Sequence, residues 1–338
     1  MAQLTVIMPS YNKEKYIKEA INSIFNQKTS YEYQIIIADD CSSDKTLDII
    51  KEYQIKYPDK ITLLTSDKNQ KLFKNILRAY EILKTDYFCV LDPDDYWISE
   101  NKIQKALDFL EKNKEYTIYS TNTIIKKQNG NEEKYLNFDN VKDSTFSDFL
   151  NEKAVLGCTL GSFYRNVVFK NGVPEKIKNP EFKTQEQSFR GDFFRNIIHL
   201  HEGRAHFVPE FDAVYRITDD GMWQGNNKLN QNILHTNLYK DFWLYFNKKY
   251  PALLYRAYIT FNLIKHNNII QQLSEIKDSE KLSTTVLKLN ELQTFFDNNQ
   301  ELIKQAEKDM KIPSKYLIER FFYNFLHGKL AKKGLIKY

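Results

Sequence analysis

The chain has 338 residues, of which 42% are hydrophobic and 14% aromatic, with only 10 Gly and 8 Pro; this is enough apolar content for a sizeable core and excludes disordered or collagen-like sequence. Its net charge is +5, but only eight of the 49 basic residues are Arg, which argues against a nucleic-acid reader, since bidentate base and phosphate contacts favour Arg. No apolar run approaches the roughly 20 residues of a membrane span, and Cys41, Cys89 and Cys158 are too scattered for a disulfide framework or a zinc site. The first residues show no basic-then-apolar leader, so a reducing compartment, most simply the cytoplasm, is expected.

Strands and helices alternate along the first 125 residues. Leu4–Pro9 reads as a strand, and Ile17, Ala20, Ile21, Ile24 and Phe25 share a helix face. Tyr33–Ala38 is a second strand, followed by a helix from near Ser43 that carries Leu47, Ile50 and Tyr53. Strands at Ile61–Thr65, Tyr87–Leu91 and Tyr116–Ile125 alternate with helices at Lys71–Leu83 and Asn101–Leu110. Such spacing implies parallel βαβ units, an open sheet with helices on both faces. Beyond the polar stretch Lys126–Glu133 the rhythm loosens. A short helix near Phe146–Lys153 and a strand at Gly157–Arg165 come first, then an irregular segment, Asn171–Lys183. A helix at Asp192–Leu200 and short strands at His206–Val208 and Ala213–Ile217 follow. From Leu229 the pattern is almost wholly helical, with Phe242, Trp243, Tyr245, Phe246, Leu253, Leu254, Tyr258 and Phe261 as core-facing stripes. The expected organisation is an α/β domain over 1–235, in halves 1–125 and 126–235, and a helical region over 236–338.

The acidic residues gather where strands end, and in open α/β sheets that is where ligands bind. Pro9-Ser-Tyr-Asn12 follows the first strand, Asp39-Asp40-Cys-Ser-Ser-Asp44 the second and Asp92-Pro-Asp-Asp95 the fourth, while Gly191-Asp192 opens a later helix. Ser43 and Asp44 read best as helix caps, Asp192 equally as a cap or a functional group, and Tyr11 and Asn12 equally as turn residues. Three carboxylates within four residues exceed any capping need. They repel one another, and a divalent cation that also binds phosphate oxygens would offset this.

Four ordered signatures together resemble the family 2 glycosyltransferases, inverting enzymes of the GT-A fold that use nucleotide-sugar donors. They are Val6-Ile-Met-Pro-Ser-Tyr-Asn12, Ile37-Ala-Asp-Asp-Cys-Ser-Ser-Asp44, Leu91-Asp-Pro-Asp-Asp-Tyr-Trp97, and Arg190-Gly-Asp192 with the later Tyr215-Arg216. The resemblance spans Leu4 to about Trp223. It implies that Pro9, Tyr11 and Asn12 flank the nucleotide base and that Asp40 bonds the edge of that base, most often uracil. Asp92 would support the site, Asp94 would meet the ribose or a Mn²⁺ or Mg²⁺ ion, and Asp95 would ligate that ion. Asp192 would be the catalytic base. Tyr215-Arg216 would begin a segment, Thr218–Lys228 with Trp223, that closes over the donor. The chain departs from the family at Asn69–Asn75, which keeps only the Asn residues of the usual pattern, and at Thr218, where many relatives carry His. The Gln-x-x-Arg-Trp signature of processive synthases is missing, so transfer of a single sugar to a glycan or lipid-linked glycan of a bacterial-type surface polymer is the expectation.

Two other readings carry less weight. A sugar nucleotidyltransferase needs a Gly-rich loop after the first strand, and none is present. A non-catalytic relative would have little reason to keep Asp40, Asp94, Asp95 and Asp192 together. At the far end, Leu317, Phe321, Phe325 and Leu326 share a helix face, and from Lys311 onward seven basic residues stand against the single acid Glu319. That suits equally a helix packed on the protein or a peripheral contact of 314–338 with an anionic membrane, at the inner face of the cytoplasmic membrane.

Overall fold

The structure is a computed structural model that describes residues 2–218, 228–266 and 269–310. The chain divides into two compact units between Asn227 and Lys228, eight residues ahead of the division expected at 235.

The first unit opens with β1 (Leu4–Ser10), α1 (Ile17–Phe25), β2 (Tyr33–Asp39), α2 (Thr46–Lys56), β3 (Ile61–Leu64), α3 (Lys71–Glu81) and β4 (Tyr87–Val90). It continues with β5 (Tyr96–Trp97), α4 (Lys102–Lys112), β6 (Tyr116–Lys126), β7 (Glu132–Lys134), β8 (Lys142–Ser144) and α5 (Phe146–Leu150). A 3₁₀ turn at Thr159–Gly161 then leads into β9 (Ser162–Arg165), α6 (Glu175–Lys178), α7 (Lys183–Ser188), α8 (Asp192–Glu202) and β10 (Arg204–Arg216).

These strands form one sheet in the order β3-β2-β1-β4-β9-β6-β10-β5, with β7 on β6 and β8 on β10. The strands β3, β2, β1, β4, β6 and β10 run the same way, and β9 and β5 run against them. This is the mostly parallel open α/β sheet that the alternation of elements implied.

The alternation of side chains along a strand decides which helices cover which face. Val6, Met8, Ile35, Ile37, Cys89 and Leu91 pack in one cluster with Ile17, Ile21 and Ile24 of α1, Ile50 of α2 and Ile103, Leu107 and Leu110 of α4. On the opposite face, Phe88 meets Tyr80 of α3 edge-on and stacks on Tyr164, with His199 of α8 beside them. Burial on both faces explains why the β1 and β2 sequences are continuous apolar runs rather than alternating ones.

Several local expectations change. The two short strands at 206–208 and 213–217 are one strand, β10, because register shifts at Val208/Phe211 and Phe211/Val214 absorb Pro209 and Glu210 without breaking its pairing to β6. The polar stretch after β6 turns at Gly130 (φ 83°) and returns as β7, an exposed, charged edge strand with no apolar alternation to betray it. The helix expected from Ser43 starts at Thr46, since Ser42, Ser43 and Asp44 are engaged with the loop after β1.

The second unit contains α9 (Lys228–Tyr245), α10 (Pro251–His266), α11 (Ile269–Ser274), α12 (Ser279–Asp297) and α13 (Gln300–Met310). Asp278 caps α12 through the N–H groups of Glu280 and Lys281. Aromatic contacts tie the helices together, with Trp243 edge-on to Phe295 and Phe261 tilted on Phe296. Of the expected core stripes Phe242, Trp243, Leu253, Leu254 and Phe261 are fully buried, while Tyr245, Phe246 and Tyr258 are half-buried. Residues 314–338 lie outside the described residues. Among those described, no helix is long and apolar enough to cross a membrane.

Gly161 tests how tightly the 3₁₀ turn is held. A Cβ there would lie 2.7 Å from the Thr121 carbonyl oxygen of β6, too close for any real contact. Gly161→Ala is expected to destabilise the first unit by about 1–3 kcal/mol, seen as a lower urea midpoint; an unchanged midpoint would show that the turn can move away from β6.

Candidate active site

Parallel pairing places the carboxyl ends of β1, β2 and β4 at one edge of the sheet. Ser10 stands opposite Asp39, the Asp40 N–H donates to the Ser10 carbonyl, and the Leu91 N–H donates to the Ile7 carbonyl. The loops leaving this edge are tied to each other. The Asn12 N–H donates to Ser42 Oγ (3.0 Å), the Ser43 N–H to Asn12 Oδ1 (2.8 Å) and the Lys13 N–H to Thr46 Oγ1 (2.7 Å). Asp44 accepts from both the Thr46 and Glu14 N–H groups. Asn12 has φ 51°, a left-handed conformation that Asn tolerates better than most residues.

Asp40 is buried and holds the entry to α3. Its Oδ1 accepts from the Gln70 N–H and its Oδ2 from the Lys71 N–H, both at 2.8 Å. A carboxylate has about four acceptor positions, so both oxygens keep room for a further donor. Pro9 is buried in β1 opposite Ala38, not past the strand's end, and Tyr11 is exposed at the loop tip.

The acidic loop after β4 is held from the far side of the sheet. Tyr96 and Trp97 pair with Val214 and Ala213 of β10, which brings Arg216 onto the loop. The Arg216 N–H donates to Asp95 Oδ1 (2.8 Å), its guanidinium donates to the Asp94 carbonyl (3.0 Å) and lies over the Tyr96 ring, and Glu19 pairs with it on the outside. Lys13 reaches Asp94 Oδ2 at 2.9 Å. Asp95 is fully buried, and its Oδ2 has no hydrogen-bond partner.

Asp192 is the first residue of α8, and its charge reaches Asp92 in the acidic loop. Its Oδ2 accepts the Thr159 N–H at 3.0 Å and its Oδ1 the Phe193 N–H at 2.8 Å. Burial and the Asp94 charge push Asp92 up to about 7, with Asp192 adding to the repulsion while Arg195 and Lys13 oppose it. That is on the order of 4 kcal/mol against the Asp92 charge. Burial, Asp92 and Asp94 likewise hold Asp95 well above the usual carboxylate range.

The structure therefore brings Asp92, Asp94, Asp95 and Asp192 into one electrostatic neighbourhood, with Asp40 and Tyr11 on adjoining loops of the same sheet edge. Trp223, Gly221, Gly225 and most of the Thr218–Lys228 segment lie outside the described residues. Two cations escaped the reading of the sequence. Lys13 could have been found from its place beside the first signature, and Arg195 from its place one helical turn after Asp192.

Among the described residues no three His, Cys, Asp or Glu side chains are gathered closely enough to hold a metal ion alone. Hard carboxylate oxygens, one of them orphaned and buried, are nevertheless the donors that Mg²⁺ or Mn²⁺ takes, and these ions commonly draw their remaining ligands from substrate phosphates.

An open, mostly parallel α/β sheet with a carboxylate cluster beyond its strand ends is the architecture of a GT-A-type fold. Residues 5–172 match Glycosyl transferase family 2, and the chain belongs to that family. An uncharacterized protein of Mycobacterium tuberculosis is 26% identical over 225 residues, 65% of this chain and 60% of that protein. The dTDP-rhamnosyl transferase RfbG of Shigella flexneri is 35% identical over 45% of this chain and 52% of its own length. The chain thus spans less than two thirds of the length of these relatives. In fold it is similar to residues 1–349 of S. aureus TarS in complex with UDP-GlcNAc, with a TM-score of 0.56 at 18% identity over 86% of this chain and 80% of that one.

The repulsion in the acidic loop has a measurable sign. A carboxyl group whose folded pKa is raised stabilises the fold least at high pH, because the unfolded chain ionises first. Relative to Asp95→Asn, the wild-type protein should therefore lose stability between pH 5 and pH 8. Melting curves in EDTA should show the gap widening by several degrees in favour of the variant; a gap independent of pH would mean that Asp95 carries no such strain.

Proposed function

We propose that the chain transfers a single sugar from a nucleotide-sugar donor, preferentially a UDP-sugar, to a hydroxyl of a glycan or lipid-linked glycan, with inversion at the anomeric carbon. The observation that carries this reading is the Asp192 carboxylate on α8 facing the Asp92–Asp95 loop of the sheet edge. A carboxylate close enough to the acidic loop for its charge to act on Asp92 can serve as base beside a diphosphate site in an in-line displacement.

Each residue has a definite task in this reading. The exposed Tyr11 ring and the Pro9–Asn12 backbone flank the base, and Asp40, fixed by Gln70 and Lys71, accepts from its edge. Asp94 and Asp95 would hold a Mn²⁺ or Mg²⁺ ion, with Asp92 behind them, and such an ion would supply positive charge to the departing diphosphate. Arg216 keeps the acidic loop in place through Asp95 and the Asp94 carbonyl. Asp192, oriented by the Thr159 N–H, takes the proton of the attacking hydroxyl, whose own pKa is far above neutrality. Residues 218–228, with Trp223, shield the activated donor from water.

The family and the relatives named for sugar transfer support this reading over a nucleotidyltransferase. A role in bacterial-type surface polysaccharide or oligosaccharide synthesis, such as lipopolysaccharide or capsule, at the cytoplasmic face of the membrane, fits the chemistry of such acceptors. The basic 314–338 segment would supply a peripheral membrane contact. Deleting residues 314–338 should release the protein from anionic vesicles while donor hydrolysis stays within about twofold; unchanged vesicle binding would remove the membrane role.

The deciding measurement is nucleoside-diphosphate release over a panel of UDP-, dTDP- and GDP-sugars with and without Mn²⁺. Turnover with at least one donor is expected. Asp192→Asn should lower kcat by about 10³-fold or more with donor affinity within threefold, since only proton abstraction is lost. Donor binding without release in the wild-type protein would make it a non-catalytic relative, and collapse of donor affinity in the variant would make Asp192 a binding residue.

A further inference from the structure

Arg195 is only 2% exposed, yet among the described residues no carboxylate lies within ion-pairing distance of it. Its guanidinium donates to the Thr159 hydroxyl (3.2 Å), the Arg190 carbonyl (3.3 Å) and, at 3.5 Å, the Tyr80 hydroxyl, and its Nε is buried without a partner. Burying a guanidinium this way is costly unless nearby charge offsets it. Arginine stays protonated even when buried, and the carboxylate charges in range of it are those of Asp192 and Asp92.

The contacts form a short relay. Arg195 grips the Thr159 side chain, and the backbone N–H of the same Thr159 donates to Asp192 Oδ2. Gly161 seats the turn against β6, and the Asn196 side-chain amide donates to the Gly157 carbonyl just ahead of it. Neither Arg195 nor Thr159 reaches the reacting atoms through these contacts.

We infer that Arg195 is a positioning residue for Asp192, a buried guanidinium that clamps the Thr159 turn onto the Asp192 carboxylate and supplies the counter-charge behind it. The inference rests on the proposed role of Asp192 as base. The groups facing Asp192 are Asp92 after β4, Cys158 ahead of the 3₁₀ turn, Tyr164 of β9, Tyr135 after β7 and Arg195 of its own helix. Arg195 is the one cation in this set, so its removal takes away the positive charge that favours the ionised Asp192 carboxylate.

The test compares Arg195→Met, Arg195→Lys and Thr159→Ala in the full chain. Arg195→Met should lower kcat about 100-fold with donor KM within threefold, and should move the acid limb of the kcat–pH profile about one unit to the alkaline side. Arg195→Lys should return the limb to its wild-type position and recover at least about tenfold of kcat, since the charge is retained. Thr159→Ala, which removes only the hydroxyl that Arg195 grips, should lower kcat several-fold with the limb unmoved, and it stands in for the clamp if Arg195→Met fails to fold. A ¹³C titration of the Asp192 carboxylate in the resting proteins decides the counter-charge without any turnover. A higher midpoint in Arg195→Met, or in Arg195→Gln where the Met variant fails to fold, supports it. An Asp192 titration that ignores Arg195, or a kcat that Lys does not rescue, would overturn the inference. If the wild-type protein turns over no donor, the proposed function fails while the titration still decides what Arg195 does to Asp192.

Discussion

Carboxylates that repel one another must be held at one edge of a sheet, and most of the local structure around that edge serves this constraint. Asp92, Asp94 and Asp95 sit within four residues, and burial makes the charges of Asp92 and Asp95 more costly still. The hydrogen bond from the Arg216 N–H to Asp95 Oδ1 is the fastening on which the loop depends. It exists because β5, two residues long, pairs with β10 and brings the end of that strand over the loop. Lys13 on Asp94 and Arg195 behind Asp192 supply positive charge from two other directions. A site assembled this way is less stable than it would be with neutral residues, a common feature of functional clusters.

The same loops separate residues with a structural task from those left open. Ser42, Ser43 and Asp44 are taken up in tying the loop after β2 to the loop after β1. Asp40 fixes the start of α3 with both oxygens. Only Asp95 Oδ2 in the acidic loop is buried without a partner, and this orphaned oxygen is what makes the cluster suited to a cation that arrives with a diphosphate.

The division of labour between the two faces of the site follows from topology. The side that carries Asp40 and the acidic loop is built from β1, β2 and β4, which lie close in sequence and pair in parallel. The Asp192 side is built from the 3₁₀ turn and α8, about a hundred residues later, joined to the first by β9 running antiparallel between β4 and β6. Gly161 and Asn196 keep the later half in register with β6. Asp192, the proposed base, is therefore set by packing against the sheet, not by the acidic loop.

The order of elements, the parallel sheet and the carboxylate motifs at strand ends were legible in the residues themselves, because buried parallel strands are continuous apolar runs and each is followed by a helix of regular period. Strands without that pattern were not legible. β5 is too short and β7 too charged, and β10 shows in the sequence only as two pieces on either side of Pro209 and Glu210, so pairing partners rather than composition define them. The chemistry of the motifs was readable from residue type, but their partners were not. Lys13 on Asp94, Gln70 and Lys71 on Asp40, and Arg195 behind Asp192 are contacts between segments that share no sequence signal. Hydrophobic periodicity is a local property of the chain, whereas which cation reaches which carboxylate is settled only when the sheet order brings distant loops to the same edge.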